Sequence, residues 1–201
     1  MQIFIAGSHT DVGKTAVSAA LCYSLKLDYF KLVQAGIPQD CEKIKALSPQ
    51  TKIYQNGITL KTPQSPHIAM QIEAINYNGL EILLPESKRL LVESAGGLFT
   101  PLDLNVCMID YLAYKKLPCI LVGGYYLGGI NHILLSLQAL KERGILLLCL
   151  IISKEQNKQM DSFIQKYFGV KIAHFERFNN PLEFSQNAEK LKKELLNLAI
   201  F

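Results

Sequence analysis

Three groups of residues in this sequence have the type and spacing to do chemistry on phosphate. The first is Gly7-Ser8-His9-Thr10-Asp11-Val12-Gly13-Lys14-Thr15, which follows an apolar run and precedes a helical one. A loop of this kind aims backbone N–H groups at a phosphate, and the dipole of the following helix favours the negative charge. Lys14 supplies a point charge for the outer phosphates, and the Thr15 hydroxyl suits Mg²⁺. The usual GxxxxGK[ST] spacing would start with glycine at position 8, yet Ser8 stands there and the glycine is Gly7. The bland alternative is a glycine-containing strand-to-helix turn with a chance Gly-Lys-Thr. The second group is Glu93, which ends the run Leu90-Leu91-Val92 and leads into Ser94-Ala95-Gly96-Gly97. An acid there reads as the metal-handling carboxylate of a nucleoside triphosphatase, and the glycines allow backbone to approach a ligand. The third is Lys31, at the end of the second predicted strand.

These residues need a frame that gathers them. Apolar runs alternate with amphipathic stretches. Strands are predicted over 3–6, 29–33, 89–93, 117–123, 145–153 and 170–174. Helices are predicted over 13–26, 40–47, 66–75, 104–115, 130–143, 155–168 and 188–198. Residues 48–64 show no clean period. Such alternation predicts an α/β fold: a doubly wound, mostly parallel sheet with helices on both faces, of the P-loop NTPase type, in a single domain over 1–201. The strands lack polar alternation, as expected where both faces are buried. Ligands of open α/β sheets bind beyond the carboxyl ends of the strands. Gly7, Lys31, Glu93, Gly124 and Ser153 all fall at such ends, so Lys31 is expected to point toward the phosphate site.

Composition narrows the classes. The 201 residues are 49% hydrophobic and 19% charged, enough for a sizeable core and too apolar for disorder. Twenty-one Lys and Arg against 17 Asp and Glu give +4, spread along the chain, with no basic block for nucleic acid. The longest apolar run, 145–152, is far short of the 18 or so residues of a membrane span. No basic leader precedes the first strand, so no signal peptide is expected. The five cysteines (22, 41, 107, 119 and 149) form no CxxC motif and no disulfide framework. A reducing, cytoplasmic setting is expected.

The motifs resemble those of one family, the dethiobiotin synthetases. The loop 7–15 is similar to that family's G-T-x-T-x-V-G-K-T, including the displaced glycine. Glu93-Ser94-Ala95-Gly96-Gly97-Leu98-Phe99-Thr100-Pro101-Leu102 resembles its E-G-A-G-G-x-x-x-P-L segment. Leu127-Gly128-Gly129-Ile130-Asn131-His132 resembles its L-G-x-I-N-H turn, and Thr62 to His67 a further segment. The resemblance implies a reaction: 7,8-diaminononanoate, CO₂ and ATP give dethiobiotin, ADP and phosphate. One amine takes up CO₂ as a carbamate. The γ-phosphoryl group passes to the carbamate oxygen, and the second amine closes the ureido ring and expels phosphate.

Residue roles follow from the resemblance. Lys14 and Lys31 are the catalytic cations. Thr10, Asp11, Val12, Gly13, Lys14, Thr15, Ala16, Glu93, Ser94, Ala95, Gly96, Ser153 and Lys154 hold the nucleotide. Thr15, Asp40 and Glu93 surround Mg²⁺. Lys31, Ala35, Gly97, Leu98, Tyr126 and Asn131 meet the diamine. The family is homodimeric, with the loop around Asn131 reaching the partner's site. This sequence departs from the family in places. Ala35 replaces a serine in the Lys31-Leu32-Val33-Gln34-Ala35-Gly36 stretch, and Tyr126 stands where a basic residue is frequent. Ser153-Lys154 replaces the base-reading Asn-Asp, and Phe175-Glu176-Arg177-Phe178 lacks a proline. Loose base selectivity is therefore expected.

Other features have bland readings beside functional ones. His67 and His132 lack a second ligand at metal spacing. His9 is expected to face solvent or the diamine. Tyr125 and Tyr126 suit an apolar slot, core packing or a dimer contact, and 190–194 reads as a solvated helix face. The competing function is a partition or maturation ATPase, a nucleotide-switched binding module. Such proteins carry an extra lysine early in the loop, where this chain has Ser8 and His9. A related amidoligase would need a glutaminase unit for which 201 residues leave no room.

Overall fold

The computed structural model describes residues 1–201. Six parallel strands form one sheet: β1 (Gln2–Gly7), β2 (Asp28–Lys31), β5 (Leu90–Gly97), β6 (Cys119–Gly123), β7 (Leu147–Lys154) and β8 (Ile172–Glu176). They lie in the order β2-β5-β1-β6-β7-β8. From the central β1 the chain first builds one side and then crosses to the other, which leaves a crevice over the carboxyl end of β1. The helices are α1 (Lys14–Leu25), α2 (Asp40–Leu47), α3 (Pro66–Ile72), α4 (Met108–Lys115), α5 (Gly129–Glu142), α6 (Lys158–Phe168) and α7 (Pro181–Asn197).

The two-residue period of the strands divides the core. Ile3, Ile5, Leu91, Ile120, Val122, Cys149 and Ile151 face one layer, with α1 and α7 above them. Phe4, Ala6, Leu90, Val92, Cys119, Leu121, Leu150 and Ile152 face the other, under α4 and α5. Burial on both faces is what the unbroken apolar strands require. No helix is long and apolar enough to cross a membrane.

The structure departs from the predicted boundaries for identifiable reasons. The run 29–33 is not one strand: β2 stops at Lys31, and β3 (Val33–Ala35) turns away to pair with β4 (Ile58–Leu60) in a separate two-stranded sheet. β4 lies in the stretch that carried no period. The helix predicted from 104 starts at Met108. Before it, the Asp103 carboxylate accepts the N–H groups of Asn105 and Val106 in a turn. Asp110 then caps the backbone of Cys107. β5 runs on through the glycines to Gly97, and β8 starts two residues later than predicted. The final helix is much longer than 188–198. Asn180 accepts the N–H of Glu183 and Pro181 takes the first helical position, a start signal worth about 1 kcal/mol that the apolar period alone does not reveal.

Candidate active site

A cleft of about 950 Å³ lies over the carboxyl ends of the strands. The turn Gly7–Gly13 feeds α1 into it. Gly13 caps α1 at φ 106°, with no side-chain cap and no acid in the first turn. By contrast, α4, α6 and α7 are capped by Asp110, Asn157 and Asn180. The positive end of α1 is therefore left open to the cleft, where an anion would stabilise it. Gly13 is required by space as well as by conformation: a Cβ there would meet Ser153 Oγ at 2.3 Å.

Lys14 enters from the first turn of α1 and is 7% exposed. Its only hydrogen bond, 3.4 Å long, goes to the His9 carbonyl. Burial, then the nearby charge of Lys31, push its pKa down to about 8. A buried ammonium without a carboxylate of its own is a poised anion site.

Lys31, Glu93, Asp40 and Thr15 form one tight cluster. Lys31 Nζ is 2.9 Å from Glu93 Oε1 and 2.5 Å from Asp40 Oδ2, and donates to the Ser94 carbonyl at 3.0 Å. Burial opposes its charge, but Glu93 and Asp40 outweigh that and hold its pKa above the usual lysine value. Burial also raises the Asp40 carboxyl, and Lys31 then pulls it below its ordinary range. Glu93 is fully buried and takes a further bond from the Tyr29 hydroxyl at 3.1 Å. The Thr15 hydroxyl lies 3.1 Å from Asp40 Oδ1 and 2.9 Å from Glu93 Oε1. It has one proton for two carboxylates, so one contact sets acceptor against acceptor.

Asp40 reaches this cluster across a short connection, and Gln34 explains how. The Gln34 side chain accepts the Asp40 N–H at 3.0 Å and donates to the Gly36 carbonyl at 2.9 Å, which braces the turn between β3 and α2. Sequence reasoning passed over Gln34 and Tyr29. The signal available was a polar side chain inside an otherwise apolar run.

The cleft wall includes the expected Thr10, Asp11, Gly13, Lys14, Thr15, Ala16, Lys31, Ala35, Asp40, Glu93, Ala95, Gly96, Ser153 and Lys154. Lys31 lines the cleft, and there both neighbouring acids, Asp40 and Glu93, engage it. Ser153 forms floor beneath Gly13. Val12 and Leu98 are buried in the core, and Ser94 lies beneath the surface with an unpartnered hydroxyl. Gly97, Tyr126 and Asn131 are outside the cleft wall. Tyr126 instead packs edge-on against His9 at 4.9 Å between ring centroids, and its hydroxyl meets His132 Nδ1. His9 thus turns to an aromatic neighbour. The cleft also gains Pro63 to Pro66 on one side and Phe175 to Asn179 on the other. Gly96 (φ 60°) admits Thr100, whose Oγ1 takes the Gly97 N–H at 2.8 Å.

A parallel sheet with an uncapped helix and two buried lysines at its carboxyl edge defines a P-loop nucleotide-binding protein. The AAA domain family matches residues 1–174. The ATP-dependent dethiobiotin synthetase BioD of Campylobacter jejuni subsp. jejuni serotype O:23/36 is 48% identical over 200 residues, 100% of both chains. That of Christiangramia forsetii is 37% identical over 203 residues, 97% of this chain and 98% of its own. The chain belongs to the dethiobiotin synthetase family. Among solved structures, a chain of the MinC:MinD cell division protein complex of Aquifex aeolicus matches with a TM-score of 0.54 at 10% identity. It covers 98% of this chain and 94% of its own, a likeness of fold alone.

Proposed function

We propose that this chain closes the ureido ring of dethiobiotin from 7,8-diaminononanoate and CO₂ at the expense of ATP, and that the cleft over β1 is where it does so. The observation that carries the assignment of the site is the cluster of Lys31 with Glu93 and Asp40 beside the otherwise unpaired Lys14. Phosphoryl transfer needs positioning and charge neutralisation above all. Lys14 and the open end of α1 suit the triphosphate. Lys31, at the far wall, suits the carbamate oxygen that takes the γ-phosphoryl group. Its burial supports a site that keeps the short-lived carbamate from water.

The donor set fits Mg²⁺. Two carboxylates and a hydroxyl, completed by water and phosphate oxygens, suit an ion that keeps several waters. A cation would also relieve the contact in which Thr15 faces two acids with one proton. Thr15, Asp40 and Glu93 would hold it, and it would supply charge neutralisation for the β and γ phosphates. To meet a carbamate, Lys31 has to loosen its hold on at least one of its two acids.

The nucleoside lies, in this reading, toward Ser153, Lys154 and 175–179, and the diamine toward Ala35 and 63–66. Tyr126 and Asn131 stand off the cleft beside the fully exposed Leu127. That placement supports a homodimer in which this turn serves the partner's site, and sedimentation would test it. The chain is proposed to work as one P-loop unit in the cytoplasm. Incubation with diaminononanoate, bicarbonate and ATP tests the function. Dethiobiotin and ADP should appear in equal amounts, whereas a switch ATPase would ignore the diamine.

A further inference from the structure

A second polar cluster lies away from the phosphate cleft and joins four elements. His174 on β8 stands between Asp161 of α6 and Glu194 of α7. Its Nε2 is 3.0 Å from Asp161 Oδ2 and its Nδ1 is 3.1 Å from Glu194 Oε1. Glu194 Oε2 also accepts the backbone N–H of His174 at 3.0 Å. Asp161 Oδ1 accepts the hydroxyl of Tyr125, from the turn after β6. A neutral imidazole has one N–H and would set its bare nitrogen against a carboxylate. Only the imidazolium donates to both. The side chains of His174 and Asp161 are 17% and 14% exposed, so solvent screens the pair incompletely.

The clamp sits where the fold needs one. β8 is an edge strand, hydrogen-bonded to β7 alone, and its outward N–H groups have no strand to meet. Glu194 takes one of them. The five residues that follow His174, Phe175 to Asn179, form the nucleoside end of the cleft wall: Phe175 and Glu176 finish β8 in register with Ser153 and Lys154, and the chain leaves the sheet after Glu176. They are linked to the end of β7 by Arg177 with Glu155 and by Gln156 with Glu176, both at 3.0 Å. These links are solvent-exposed and weak alone. Their register depends on where β8 is seated.

We infer that His174, held as a cation between Asp161 and Glu194, is a positioning residue for the nucleotide: it seats the 175–179 wall against 153–156, so affinity for ATP declines as this imidazole loses its proton. The inference rests on the reading that the cleft takes ATP. The groups facing His174 are Asp161 on α6, Glu194 on α7 with Lys190 one turn away, Tyr125 beyond Asp161, and Glu176 farther along β8. β7 presents only Ile152 in register. Its pKa is raised by the hydrogen bond it donates to Glu194, against burial, and further by Asp161.

Steady-state kinetics with ATP varied, between about pH 6 and pH 9, test this in wild type, His174→Gln and Asp161→Asn, alongside an NMR titration of His174 in the wild type. In the wild type, KM for ATP should rise by about threefold or more across the NMR midpoint, with kcat changing less. His174→Gln should start with the higher KM and lose that step. Asp161→Asn, which keeps one acid, should move both the NMR midpoint and the KM step to lower pH. A wild-type pH profile in His174→Gln overturns the inference, as does an unmoved midpoint in Asp161→Asn should the first variant not fold. Nucleotide binding to Lys14→Ala, followed in parallel, separates the two readings. Loss of binding there with an unchanged His174→Gln profile rejects the clamp alone, and undiminished binding rejects the nucleotide cleft itself.

Discussion

Lys31 and Glu93 are register partners on adjacent parallel strands, and their side chains close an ion pair of 2.9 Å at the carboxyl ends of those strands. The sheet itself therefore fixes the distance between the cation and the acid. Neither side chain has solvent to fall back on, which makes the pair costly to break from one side only.

That asymmetry gives a stability prediction. Lys31→Ala leaves Glu93 buried with only hydroxyl donors, and unfolding in urea should show a loss of about 3–5 kcal/mol. Adding Glu93→Gln should recover part of the loss, because the remaining Thr15 and Tyr29 hydroxyls can bond a neutral amide oxygen. A double variant as unstable as the sum of the singles would show that the two residues act independently.

Gly13→Ala should fold poorly and bind nucleotide weakly. The substitution forces a side chain into φ 106° and against Ser153 Oγ at 2.3 Å. The cost is about 1–3 kcal/mol of stability. Gly13→Ala combined with Ser153→Gly should regain packing while keeping the backbone strain. Thermal melting of the three proteins separates the two contributions.

Base selectivity should be loose. The position expected to carry an amide holds Ser153, whose short side chain packs beneath Gly13, and Lys154 offers a flexible ammonium. A site lacking a committed hydrogen-bond donor and acceptor pair discriminates poorly among bases. Turnover with ATP, GTP and CTP should agree within about tenfold. A preference for ATP well beyond that would reveal base-reading groups in the 175–179 wall.

Stability should also carry the signature of His174. Its folded pKa lies above the unfolded value, so its contribution is complete below about pH 6.5. That contribution is lost as pH rises through the folded pKa. The wild-type melting temperature should therefore fall between about pH 6 and pH 9 by more than that of His174→Gln. Equal slopes would mean that the imidazole is neutral in the folded protein.

Much of this was legible in the sequence because it is local. The phosphate loop, its strand and its helix are contiguous, and the apolar strands announce a two-faced sheet. What the sequence hid depends on contacts between distant segments. Gln34 acquires its role only when the chain bends at Leu32 and brings Asp40 back. Tyr29 looks like core until Glu93 is placed beside it. Val33 to Ala35 reads as a continuation of β2, and only its pairing with Ile58 to Leu60 reveals the turn. Phe175 to Asn179 enter the cleft because β8 is seated next to β7, which no spacing announces. Tyr126 and Asn131, read as substrate contacts from their motif, stand off the cleft of their own chain.

In the proposed reaction Lys31 serves the carbamate while Lys14 serves the phosphates. The most direct test is dethiobiotin formation by Lys31→Ala, set beside its nucleotide binding. ATP should still bind to within about tenfold of wild type, while dethiobiotin formation falls by roughly a hundredfold to a thousandfold. Near-normal dethiobiotin formation in that variant would contradict this division of roles between the two lysines.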